Sequence, residues 1–118
     1  AIADRYVKAS ADSVRAGDIG KAVDQARMAS RLEPWNPKPH MQLATIAGSR
    51  GDTGTALSEI DRAVELEPEN WQARVLRFQI NFDANRREAA ERDFQVLREI
   101  NPLLFGSYTF EDVSAMTP

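Results

Sequence analysis

Pro34, Pro68 and Pro102 stand 34 residues apart in this chain, and so do Ala22, Ala56 and Ala90. No other feature constrains the fold as strongly. A period of this length marks a supersecondary unit that recurs and stacks, because one unit alone cannot bury its apolar face. Each unit reads as a helix, a tight turn, a second helix and a turn marked by proline. The expected helices run over 3–16 and 19–32, then 38–50 and 53–66, then 71–84 and 86–100.

Local chemistry supports those boundaries. Gly17 and Gly51 close the first two leading helices, where a residue at positive φ is wanted, and Asn85 holds the same place in the third unit. Asp18 and Asp52 follow the glycines and can accept hydrogen bonds from the free N–H groups of the next helix. Ala22, Ala56 and Ala90 are small where two helices must approach, and Ala29 and Ala63 repeat the device near the helix end. The prolines stop each second helix. Asn36-Pro37 supplies an N-cap followed by a first-turn proline.

These residues resemble a tetratricopeptide repeat (TPR) protein of three repeats, 3–36, 37–70 and 71–104, the likeness covering residues 3–102. The second repeat matches the family pattern of large and small residues best, with His40, Leu43, Ala44, Ala47, Ala56, Ile60, Ala63 and Pro68. The first offers Tyr6, Ala9, Ser10, Ser13, Ala22, Ala26, Ala29 and Pro34. The resemblance implies an all-α fold, a right-handed α-solenoid of antiparallel helix pairs with about six helices and a C-terminal capping segment.

The third repeat departs from the pattern. Strict counting puts Arg74, Arg77 and Asn81 at core places, whereas Ala73, Leu76 and Ile80 make a better stripe one residue earlier. Trp71, Val75, Phe78 and Phe82 form a second apolar face. The simpler expectation is a rotated helix followed by a turn one residue longer. The alternative is a helix that buries two faces, the second against a partner or the C-terminal tail.

In this family the leading helices line a concave surface. Carried over residue by residue, the resemblance implies a partner-binding groove of Val7, Ala11 and Val14 in the first repeat, Lys38, Met41 and Thr45 in the second, and Gln72, Val75, Gln79 and Phe82 in the third. Relatives that hold the acidic C-terminal tails of heat-shock chaperones clamp a carboxylate with Lys, Asn and Arg. Here Val7, Ala11, Gln72 and Leu76 stand at clamp positions, so that ligand is not expected. The mildly apolar centre suits an amphipathic helix or an extended peptide with apolar anchors, and Met41 adds an adaptable contact.

Residues 103–118 are expected to cap the last helix pair, with Leu104, Phe105, Tyr108 and Phe110 lying across its second helix. The alternatives are a strand-like arm entering its own groove or a neighbour's, the latter making a homo-oligomer, and a frayed terminus. Trp35, between Pro34 and Pro37, is expected to wedge between repeats, with an interface anchor as the other reading; Trp71 poses the same choice. Arg5, Lys8, Arg86 and Arg87 read as surface charges, and His40 as a packing residue.

A net charge of −3 disfavours a general nucleic-acid partner, since phosphate neutralisation needs clustered Lys and Arg. With no cysteine and a single histidine, neither a disulfide framework nor a typical zinc site is available, and no cofactor is expected. Gly51-Asp-Thr-Gly54 lacks the Lys-Ser/Thr of a phosphate loop, and Ser10, Ser13 and Ser30 lack a histidine base. No run nears the roughly 18 apolar residues of a membrane span. The expected function is a non-enzymatic scaffold for a protein or peptide partner, in the cytoplasm or the soluble part of an envelope-associated protein. The alternative is an auxiliary or self-associating domain of a larger bacterial protein. The turns Leu-Glu-Pro-Trp-Asn-Pro and Pro-Glu-Asn-Trp resemble those of TPR segments appended to envelope polysaccharide ligases or polymerases, and of bacterial TPRs generally.

Overall fold

A computed structural model describes residues 1–116, which form eight helices and, among the described residues, no strand. They are α1 (Ile2–Arg15), α2 (Ile19–Leu32), α3 (Pro37–Ser49), α4 (Thr53–Leu66), α5 (Trp71–Asp83), α6 (Arg87–Ile100), α7 (Pro102–Phe105) and α8 (Phe110–Met116). The chain divides into two compact units, Ala1–Pro68 and a second that begins at Glu69.

In the first unit α1 pairs with α2 and α3 with α4, and α3 also packs on both α1 and α2. The alanines assigned to close approach do that work: Ala22, Ala29, Ala56 and Ala63 are all 0% exposed. The spacing is close enough for Ser10 Oγ to donate to the Ala22 carbonyl at 2.7 Å. Gln42 Nε2 then donates to Ser10 Oγ at 3.2 Å, tying the second repeat to the first. Leu43, Ile46, Ile60 and Val64 supply the larger apolar side chains. The caps are those the sequence suggests: Asp18, Asp52 and Asn36 accept from the N–H groups of Lys21, Thr55 and Lys38. Trp35, by contrast, is 68% exposed and wedges nothing apart. It lies in the short turn between α2 and α3, outside both helices.

The second unit holds α5 to α8. The turn between α5 and α6 has the same length as its counterparts, which corrects the simpler expectation for the third repeat. Gly17, Gly51 and Asn85 all take positive φ, at 82°, 75° and 59°. The closing bonds are also equivalent, Asp18 N–H to Ser13 O, Asp52 N–H to Ala47 O and Arg86 N–H to Asn81 O. The helix need not rotate to hide Arg77 and Asn81, because both are satisfied where they stand. Asp93 of α6, 3% exposed, accepts from Arg77 Nη2 at 2.7 Å, from Arg77 Nε at 3.0 Å and from Asn81 Nδ2 at 3.2 Å. Arg86 replaces the capping aspartate of the other repeats, and its Nε donates to Asn81 Oδ1 at 3.1 Å. It is part of this network rather than a free surface charge.

The other face of α5 builds an aromatic core. Phe78, Phe94, Leu97, Ala90 and Phe110 are buried together, and Trp71, Val75, Phe82, Phe105 and Val113 pack around them. Phe110 of α8 sits 6.2 to 6.4 Å from the rings of Phe78, Phe94 and Phe82. The Arg87 guanidinium lies 4.8 Å over the Phe110 ring, so Arg87 too is more than a surface charge. Trp71 meets Phe105 edge-on at 6.1 Å. Leu104 and Tyr108 do not join, being 49% and 43% exposed, and Leu103 is wholly exposed. For Leu103 and Leu104 the reason is the brevity of α7: one turn has one inward side, and Phe105 occupies it. Gly106 makes that turn possible, since a Cβ there would come within 2.5 Å of the Pro102 carbonyl oxygen.

Candidate functional site

On α1, Val7, Ala11 and Val14 follow a helical spacing that keeps them on one face, and all three are half-buried. On α3, Met41 is half-buried between exposed Lys38 and Thr45. Lys38 Nζ lies 3.6 Å from Asp4 Oδ1, linking the starts of α1 and α3. Both groups are solvated, so the pair is worth about 0–1 kcal/mol. The Thr45 hydroxyl donates to the Met41 carbonyl at 2.9 Å. Six of the ten predicted lining residues thus belong to two adjacent helices of the first unit.

The other four belong to the second unit. Gln72 and Gln79 are exposed on α5. Val75 and Phe82 pack against the aromatic core, and the Phe82 ring lies 6.4 Å from Phe110. The C-terminal segment therefore takes up part of the surface these two would offer a ligand.

Sequence reasoning overlooked a polar series. Gln25, Glu59 and Asp93 recur at 34-residue steps on the second helix of each repeat. Each meets a polar side chain of its own leading helix: Gln25 with Ser13 Oγ at 2.7 Å, Glu59 Oε1 with His40 Nδ1 at 3.4 Å, and Asp93 with Arg77 and Asn81. The period itself was the available signal. Near Asp93, burial first and then the Arg77 charge lower the Arg74 pKa from its ordinary value, with Asp93 opposing. Among the described residues no cluster of three or more His, Cys, Asp or Glu could hold a metal ion, and no helix is long and apolar enough to cross a membrane.

The fold is that of a tetratricopeptide repeat domain, all-α and built from paired helices. The chain superimposes on the first TPR domain of human RPAP3, solved by NMR, with a TM-score of 0.79 at 20% identity over 97% of this chain and 86% of that one. It matches equally the first TPR of Spaghetti (RPAP3), solved bound to the HSP90 peptide SRMEEVD, with the same score and identity over 97% of this chain and 89% of that one. No protein-family model and no curated protein sequence matches the chain.

Proposed function

We propose that this chain is a non-enzymatic protein-interaction scaffold whose α1–α3 face holds an apolar-faced helix or extended peptide of a partner. The observation that carries this reading is the row of half-buried apolar side chains, Val7, Ala11, Val14 and Met41, on two neighbouring helices. Such side chains still have surface to lose to a ligand, whereas fully buried ones do not. The peptide held by the RPAP3 relative supports peptide capture as the use of this fold. The partner differs in chemistry. With Val7 and Ala11 in place of a basic clamp, an acidic tail would find little to neutralise its charge.

Met41→Glu combined with Val7→Glu puts two carboxylates on the row while leaving both helices free to form. Partner capture should be lost with the circular dichroism unchanged. Capture retained by a folded double variant would remove this face from consideration.

A second reading has one observation in its favour, the exposure of Leu103, Leu104 and Tyr108. These could serve self-association through the tail. Light scattering on the chain and on Leu103→Glu/Tyr108→Glu tests it: a dimer that becomes a monomer supports it, and a monomer in both cases ends it.

A further inference from the structure

The polar series distinguishes the middle repeat. Gln25 and Asp93 are satisfied from the leading helix of their own repeat, Asp93 by a guanidinium and an amide. The places that hold Arg77 and Asn81 in the third repeat hold Leu43 and Ala47 in the second, and neither side chain carries a polar atom. Glu59 keeps only the 3.4 Å contact of Oε1 with His40, and its Oε2 is buried with no hydrogen-bond partner among the described residues. A buried carboxylate oxygen left this way is costly and calls for a donor.

Glu59 also lines a cavity of about 240 Å³ inside the first unit. Val23, Leu43 and Ile46 give it an apolar wall. Arg27 and Arg50 line it as well; both are exposed, and neither guanidinium enters an ion pair among the described residues. Asp52, whose carboxylate accepts from the Thr55 N–H, and Thr55 complete the lining. The cavity thus presents two carboxylates, of which Glu59 keeps an oxygen without a donor, a hydrocarbon wall and two guanidinium groups outside any ion pair among the described residues. Its volume falls below the ~300 Å³ at which pockets for drug-sized ligands begin, a scale suited to one side chain.

We propose that this cavity binds the C-terminal residue of a partner peptide when that residue is arginine or lysine. The cationic tip pairs with Glu59, the methylene stem lies along Val23, Leu43 and Ile46, and the free carboxylate meets Arg27 and Arg50. The third repeat contains the same contact in intramolecular form: Arg77 grows from the place of Leu43 and donates to Asp93 from the place of Glu59. Rotation of the terminal carboxylate torsion is soft, so Glu59 can turn Oε2 toward an arriving donor. A neutral apolar ligand would leave that oxygen unsatisfied, and an anion without a cationic tip would face the Glu59 charge. None of the residues on the α1–α3 face belongs to this cavity, so the two sites stand or fall separately.

The test is isothermal calorimetry on the intact chain with three short peptides. One ends in arginine with a free carboxylate, one is its C-terminal amide, and one ends in norleucine with a free carboxylate. The arginine acid should bind, and each of the other two should bind at least ~10-fold more weakly, because each loses a charge-assisted contact. Glu59→Gln should lower the affinity of the arginine acid by a similar factor. Leu43→Arg, which builds the third repeat's arrangement into the second, should abolish binding while the chain stays folded. Absence of binding by the arginine acid, equal binding of the three peptides, or full affinity in folded Leu43→Arg would overturn the assignment. Should Glu59→Gln fail to fold, the three-peptide comparison on the unaltered chain decides alone.

Discussion

Asp93→Ala offers a direct measure of the buried ionic core of the third repeat. The substitution removes the acceptor for two nitrogens of Arg77 and for the Asn81 amide. Asn81 is 3% exposed and cannot turn to water, whereas the Arg77 side chain is 22% exposed and can rehydrate in part. Breaking a buried pair costs about 3–5 kcal/mol, and the freedom of Arg77 puts this case near the lower end, at ~3 kcal/mol. At roughly 4 °C per kcal/mol for a chain of this size, the melting temperature should fall by ~12 °C. The second arm is Arg77→Leu, which restores the residue found 34 positions earlier at Leu43, alone and combined with Asp93→Ala. If the two side chains stabilise each other, the double variant should be at least ~1.5 kcal/mol more stable than the two separate losses imply. Urea denaturation of the four proteins reads this coupling. A loss below ~1 kcal/mol for Asp93→Ala, or losses that add to within ~0.5 kcal/mol, would show that the pair does not hold the third repeat in register.

Phe110→Ala should cost about 3 kcal/mol in chemical denaturation, since the ring is 2% exposed among three other phenylalanines. Leu103→Ala, at a wholly exposed position, should change stability by less than ~0.5 kcal/mol. The Thr109 backbone N–H, and then its hydroxyl, lower the Asp112 pKa from the ordinary 3.8, so the carboxylate titrates at lower pH folded than unfolded. Its stabilisation is present above the unfolded value and is lost as pH falls through the folded one. An NMR titration should therefore give Asp112 a midpoint below 3.8, moved upward in Thr109→Ala. Acrylamide should quench Trp35, observed in Trp71→Phe, more strongly than Trp71, observed in Trp35→Phe, because only Trp71 is sheltered by Phe105.

Repetition made the helix ends legible. Proline, glycine, aspartate and asparagine act through their own backbone or over a few residues, so Gly17, Gly51, Asn85, Asp18 and Asp52 could be assigned one turn at a time. The interior of the third repeat was less transparent because its explanation lies on another helix. Arg77 and Asn81 look misplaced within α5 alone, and Asp93, 16 residues after Arg77, makes sense of them. The same limit affected Arg86 and Arg87, whose partners are a buried amide and a phenylalanine ring. On the candidate site, the family resemblance suggested Val7, Ala11, Val14 and Met41 as lining residues, and in the structure each is half-buried. It could not show that Val75 and Phe82 pack against an aromatic core that includes Phe110, because that depends on where the tail folds.

The buried carboxylate of α6 bears on how the chain avoids assembling wrongly. Helical repeats with interchangeable cores risk exchanging partners while they form, a common failure of repeat proteins. Here α6 is selective. Against α1 Asp93 would face Ala9 and Ser13, and against α3 it would face Leu43, Ala47 and the His40 imidazole that meets Glu59, so no guanidinium would reach it. Only α5 presents a guanidinium at the matching place. A pairing error thus deprives a buried carboxylate of its guanidinium partners, a penalty that apolar cores of similar shape would not impose. The third repeat carries its own proofreading, written as one aspartate and the two arginines it pairs with, Arg74 and Arg77, inside a framework otherwise shared by all three.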